Sequence, residues 1–220
     1  MIPFKDDNPT NRFPYVTIAI IVVNTLVFLV ELFHPGGMQA FVYRYGAIPR
    51  ELLGFSTGAL LRVVTSMFLH GGLFHIGGNM LYLWIFGNNV EDRLGHLRFL
   101  VFYFTAGAVA AFSHALSAPS SEIPMVGASG AIAGILGAYL LLYPHAKVHT
   151  LIFFGFFIEI IRIPAFVVIG FWGIIQIFSG IMSKGLAAQT GVAWFAHIGG
   201  FLFGLLTIKL WIPKRRSRFL

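Results

Sequence analysis

Charge and apolar character alternate along this chain on the scale of a whole helix, not of a single turn. Six segments, at about 15–32, 74–90, 97–116, 129–143, 163–182 and 192–211, are almost free of charge and are bounded by Lys, Arg, Pro or Gly. A bilayer-spanning helix needs roughly 20 mostly apolar residues, so each segment is predicted to cross a membrane. The fourth is short and is expected to begin below the membrane surface. A long semi-polar stretch containing Gly36-Gly37, Gly54 and Gly71-Gly72 separates the first two and predicts a long first outer loop. The stretch 148–160 is apolar but too short to add a seventh span of the right parity, so it is read as an extended connection near the membrane. The expected architecture is an all-α membrane protein with six transmembrane helices. It divides into a short N-terminus (1–14), a membrane domain (15–211) and a basic tail (212–220).

Composition agrees with a chain built for lipid: 57% of residues are hydrophobic and 10% charged, and the mean hydropathy is +0.82, outside the range of an ordinary soluble domain. No small-residue cleavage pattern follows the first segment; Glu31 and the turn Pro35-Gly36-Gly37 come next. That segment therefore reads as a retained span and not a secretory signal. Asp6 and Asp7 also argue against a transit peptide, so a prokaryotic cytoplasmic membrane is expected. With the N-terminus in the cytoplasm, eleven Lys and Arg fall inside: Lys5, Arg12, Arg93, Arg98, Lys147, Arg162, Lys209, Lys214, Arg215, Arg216 and Arg218. Only four, Arg44, Arg50, Arg62 and Lys184, fall outside. Both termini are thus expected in the cytoplasm. The net charge of +7 reads as an orientation signal with a tail drawn to anionic headgroups. Nucleic acid is not an expected partner, because the basic residues flank spans and build no polar domain.

This topology carries Ser129, His197, His75 and Asn79 to one depth near the outer side, since the second, fourth and sixth segments all enter from there. Polar side chains inside spans are costly and tend to face a cavity or a partner. Ser129, in Gly127-Ala128-Ser129-Gly130, could simply cap a helix. At the same position a nucleophile would have the helix's free N–H groups as oxyanion donors. His75 and Asn79, four apart, share a helix face and could either bond neighbouring helices or donate to a developing oxyanion. Small residues at Ser129, Gly130, Ala133, Gly134 and Gly137 could meet Gly199, Gly200 and Gly204, which would bring Ser129 within reach of His197. No carboxylate lies at the right depth to orient His197, so a Ser–His dyad is favoured over a triad. The chain has no Cys and no His-Glu-x-x-His; neither a metal nor any other cofactor is expected.

This constellation resembles that of the rhomboid intramembrane serine proteases. The likeness covers nearly the whole chain: Arg62, the run Thr65 to Gly72, His75 with Asn79, Gly87 through Gly95 with Glu91, the Gly127–Gly130 motif, and Ala196-His197 with Gly199-Gly200. The resemblance implies six helices around a water-filled cavity open to the outside. It further implies Ser129 as nucleophile, His197 as base, and His75, Asn79 and the Ser129 backbone N–H as oxyanion donors. Substrate entry between the second and fifth spans is also implied, with Tyr82, Trp84, Phe171 and Trp172 as candidate gate aromatics. Two positions depart from the family pattern. Leu61 stands where Trp commonly precedes the loop arginine. Ala133 stands where some members stack an aromatic on the base, so His197 must be positioned by packing or by another ring. The expected function is cleavage of transmembrane protein substrates near the outer side of the bilayer. The alternatives are a proteolytically inactive rhomboid-fold membrane-protein binder and a small channel or transporter. Oligomeric state stays open.

Overall fold

The computed structural model describes residues 1–154, 157–185 and 192–214. In chain order the elements are β1 (Ile2–Asp6), α1 (Tyr15–Leu32), α2 (Gly37–Tyr45), α3 (Pro49–Leu52), α4 (Thr57–Ser66), α5 (Leu73–Tyr82), a π-helical turn (Leu83–Gly87), α6 (Asn88–Leu94), α7 (His96–Ser117), α8 (Ser129–Leu142), β2 (Lys147–Phe154), β3 (Phe157–Pro164), α9 (Ala165–Gly185) and α10 (Trp194–Trp211). The basic residues Arg215, Arg216 and Arg218 of the expected tail lie outside the described residues. Four of the described helices, α1, α7, α9 and α10, are long and apolar enough to cross a membrane, which makes the chain a multi-pass integral membrane protein. α5, the π turn and α6 run on without a break through the second apolar segment, and α8 is shorter.

α8 occupies the centre. Every residue from Gly130 to Tyr139 is buried, as expected for a helix that is apolar around its whole circumference. α7 and α10 flank it, and the π turn of the second segment closes a further side. Phe86, Phe99, Phe102 and Tyr103 are fully buried in the same core as Tyr139 of α8.

The first and second apolar segments are joined through one carboxylate. Pro14 precedes α1 and supplies no side-chain cap, so the first N–H groups of that helix need a partner from elsewhere. Glu91 of α6 provides it, accepting from Val16 N (2.9 Å), Thr17 N (2.7 Å) and Thr17 Oγ1 (2.6 Å), with His96 Nδ1 2.6 Å away. A negative charge at a helix N-terminus is also favoured by the helix dipole. Glu91→Ala is expected to lower stability by about 2–4 kcal/mol, because several charge-assisted bonds are lost and buried donors are stranded. Glu91→Gln should cost less. Detergent-induced unfolding followed by helicity measures both.

The expectation of an all-α chain is corrected by a three-stranded antiparallel sheet in the order β1-β2-β3. β2 and β3 pair from Lys147↔Pro164 to Phe154↔Phe157, and β1 adds to β2 from Asp6↔Val148 to Ile2↔Leu151. The stretch read as a mere connection is thus mostly a hairpin. It alternates, with Val148 and Thr150 fully buried and Lys147 exposed, and it is rich in β-branched residues that suit a pleated surface. The third strand comes from the N-terminus, a pairing that no local pattern announces. β1 is tied inward by Asp6 Oδ2, which accepts from Tyr139 Oη of α8 (2.5 Å) and Asn89 Nδ2 of α6 (3.1 Å). Burial, opposed by the Tyr139 bond and by backbone N–H groups, leaves the Asp6 carboxyl above the ordinary aspartate range. The N-terminus, the α6–α7 turn and the end of α8 therefore share one end of the bundle.

Between α1 and α5 the chain is not an open loop but a cluster of α2, α3 and α4. Ala47 pairs by backbone with Met125, Arg50 forms an ion pair with Glu122, and Phe55 stacks on Phe112 at 5.7 Å. Arg62 is joined to Glu51 at 2.7 Å, and Leu61 beside it is exposed. These contacts tie the cluster to α7 and to the segment entering α8.

Candidate active site

The segment before α8 is set by a glycine. Gly127 donates its N–H to Ser66 O (2.9 Å) and adopts φ +122°, a conformation that side-chain-bearing residues rarely take. A Cβ here would also stand 2.8 Å from His75 Nε2. The turn delivers Ser129 as the first residue of α8, capped from Ala128 without a side-chain bond. The Ser129 hydroxyl is therefore not spent on capping. It lies 2.8 Å from His197 Nε2.

That approach depends on two helices packed backbone to backbone. A Cβ on Gly200 would run into the Gly130 carbonyl oxygen, one on Gly204 into that of Gly134, and one on Gly137 into that of Phe201. Such contact is open only to the smallest residues. Gly199, grouped with this ridge in the sequence, instead turns to α7, where a Cβ would strike Ser113. Ala133 supplies no ring one turn after Ser129; among the described residues the rings beside His197 are Trp172 of α9 (6.1 Å between centroids) and Trp194 of its own helix (6.2 Å).

Sequence reasoning missed Gln176. Its Oε1 stands 2.7 Å from His197 Nδ1, and it is 5% exposed. A carboxylate is the usual orienting group, but a neutral amide at an isolated polar position inside an apolar span is the signal that marks this one.

Opposite the serine, α5 contributes His75 and Asn79 to the same cavity, of about 650 Å³, which Ser129, His197, Tyr82 and Trp172 also line. Gly71 N–H donates to His75 Nδ1 (3.3 Å). A neutral imidazole that accepts at Nδ1 carries its proton on Nε2, so His75 presents a donor toward the Gly127–Ser129 turn. Asn79 Nδ2 is buried without a hydrogen-bond partner among the described residues. His70, in the loop before α5, packs edge-on against His75 at 5.0 Å; burial first, and His75 second, hold its imidazole down at about 4, leaving it neutral at pH 7. The four gate aromatics separate. Tyr82 and Trp172 line the cavity, while Phe171 and Trp84 are half exposed and lie outside its lining. Successive helical residues point about 100° apart, which turns Phe171 away from Trp172 and Trp84 away from Tyr82 two positions earlier. Among the described residues no group of three or more His, Asp or Glu side chains is placed to hold a metal ion.

Chemically, the site holds a hydroxyl bonded to an imidazole, an acceptor behind that imidazole, and N–H donors facing the hydroxyl across a cavity. The rhomboid domain family model matches residues 57–214. Rhomboid protein 1, mitochondrial, of Saccharomyces cerevisiae is 30% identical over 208 residues, covering 91% of this chain and 55% of that protein. Rhomboid protease GluP of Bacillus subtilis is 34% identical over 137 residues, 62% of this chain and 25% of that one. Presenilin-associated rhomboid-like protein A, mitochondrial, of Danio rerio is 28% identical over 198 residues, 85% and 45%. The chain spans between a quarter and about half of the length of these relatives. Two of the three are mitochondrial, so they lend the expectation of a prokaryotic membrane no support.

Proposed function

This chain belongs to the rhomboid family, and from that premise we propose that it is an intramembrane serine endopeptidase acting on transmembrane segments of other proteins. The observation that carries this reading is the 2.8 Å contact between Ser129 Oγ and His197 Nε2 at the wall of a cavity among apolar helices. In the proposed reaction His197 Nε2 takes the hydroxyl proton as Ser129 Oγ attacks a peptide carbonyl. The oxyanion is held by His75 Nε2–H, Asn79 Nδ2–H and the Ser129 backbone N–H at the start of α8. His197 returns the proton to the leaving amine, and then activates the water that hydrolyses the acyl-enzyme. The substrate helix must unwind locally, because the carbonyls of a continuous helix are already paired; helix-breaking or small residues near the cleaved bond are therefore the expected preference.

We further read the fold as six spans with both termini in the cytoplasm. The bundle end shared by β1, the α6–α7 turn and the α8–β2 turn carries Lys5, Arg93, Arg98 and Lys147, which suits the cytoplasmic side. The cavity, built at the opposite end of α8, would then open outward, with Tyr82 and Trp172 beside the substrate's way in.

The test is incubation of the detergent-purified protein with a fluorophosphonate probe and, separately, with a single-span substrate. Labelling of the peptide containing Ser129, competed by the substrate, is expected. A well-folded protein that neither labels nor cleaves would transfer the reading to a non-catalytic membrane-protein binder. Asn79→Ala should lower turnover about 10²–10³-fold with little change in KM, whereas loss of folding would assign Asn79 a purely structural part.

A further inference from the structure

Gln176 sits in α9 between apolar neighbours, in a span of mean hydropathy 2.0, where an amide must find partners or carry a large cost. It has two. Nε2 donates to Trp172 O (3.3 Å), one turn back on the same helix, and Oε1 faces His197 Nδ1 (2.7 Å). The first bond decides the second. A backbone carbonyl can only accept, so the NH₂ end of the amide is held at Trp172 and the oxygen is left for the imidazole. Facing an oxygen, Nδ1 must carry the ring hydrogen. Nε2 is then the unprotonated nitrogen, and it is the one that meets Ser129 Oγ. A flipped amide would put N–H against Nδ1, move the ring hydrogen to Nε2 and remove the base from the serine.

We propose that Gln176 is the positioning residue of this site, a neutral third member that selects the His197 tautomer able to accept the Ser129 proton. The inference rests on the Ser129–His197 reading above and goes beyond it. It also accounts for the absence of a carboxylate: a charge at this depth would have to be desolvated, while an amide oxygen fixes the same tautomer without one. Trp172 takes part twice, its carbonyl holding the amide and its ring standing tilted beside the imidazole at 6.1 Å.

The test compares Gln176→Met, which keeps length and apolar bulk but has no acceptor, with Gln176→Glu, which keeps the acceptor and adds charge. For Gln176→Met, kcat should fall at least about 10–100-fold with KM within twofold, the loss seen when the group that fixes the tautomer of a metal-bound histidine is removed. For Gln176→Glu, activity above neutral pH should stay within a few-fold of wild type, and the acidic limb of the pH–rate profile should move up by about one pH unit as the carboxylate favours protonated His197. The other groups facing His197 are His75 of α5, His114 of α7 and Ser129 of α8; they are unchanged in both variants, so a shift between profiles reports position 176. A folded Gln176→Met enzyme with wild-type kcat overturns the proposal. An unmoved acidic limb in Gln176→Glu does so as well, even where the Met variant fails to fold. Absence of fluorophosphonate labelling in the wild type would instead defeat the dyad itself, which keeps the two failures apart.

Discussion

Ser129→Ala is expected to abolish cleavage and probe labelling while leaving the fold in place. Removing the nucleophile of a serine hydrolase costs about 10⁴–10⁶ in kcat, because no other group at the site can form the acyl intermediate. The fold should tolerate the change for local reasons. Ser129 is the first helical residue and not the cap, no side-chain cap bond is made there, and alanine is the best helix former. What is lost is one interhelical hydrogen bond, to His197, worth about 0.6 kcal/mol in a membrane setting. The unfolding midpoint should thus sit within a few degrees of wild type. Cleavage retained by a pure Ser129→Ala preparation would sink the proposed mechanism.

Gly204→Val is expected to have the largest effect on stability. A Cβ at Gly204 would overlap the Gly134 carbonyl oxygen, and that neighbour is backbone of the central helix, which cannot rotate aside. The two helices must separate along their whole contact, from Gly130 with Gly200 to Gly134 with Gly204. Overpacking commonly costs about 1–3 kcal/mol and more where the neighbour cannot yield, so a loss above about 4 kcal/mol is expected here. Because the same contact holds Ser129 against His197, activity should fall even in the fraction that remains folded. Gly170→Val in α9 supplies the contrast. Beyond its own stretch of helix backbone nothing lies within 4 Å of a Cβ there, and both stability and cleavage should stay near wild type. Unfolding in a denaturing detergent, scored by helicity, checks the pair; equal effects at the two positions would refute backbone contact as the reason for glycine at 204.

Much of the helical framework was legible because a bilayer demands long apolar helices, and such segments show in hydropathy alone. α1, α7, α9 and α10 fall where the apolar segments predicted them. The polar residues of the cavity were legible for a related reason: Ser129, His197, His75 and Asn79 are conspicuous against apolar surroundings, and the spacing of four between His75 and Asn79 puts them on one face. The sheet was not legible. A β-strand is completed by hydrogen bonds to another strand, and β1 finds its partner more than a hundred positions away, at residues 148–151.

The sequence by itself determined a membrane chain with apolar helices, a serine at a helix start, a histidine inside a later span, and small residues that permit close packing. Those properties follow from local composition and from the 3.6-residue period, which need no knowledge of neighbours. Only the tertiary structure decided which helices meet. It turned Gly200 and Gly204 toward α8 and Gly199 toward α7, made Glu91 the cap of a helix some seventy residues earlier, and brought an unremarked glutamine behind the histidine. Each of these is a contact between side chains or backbones far apart in the chain, set by shape and hydrogen-bond satisfaction in three dimensions.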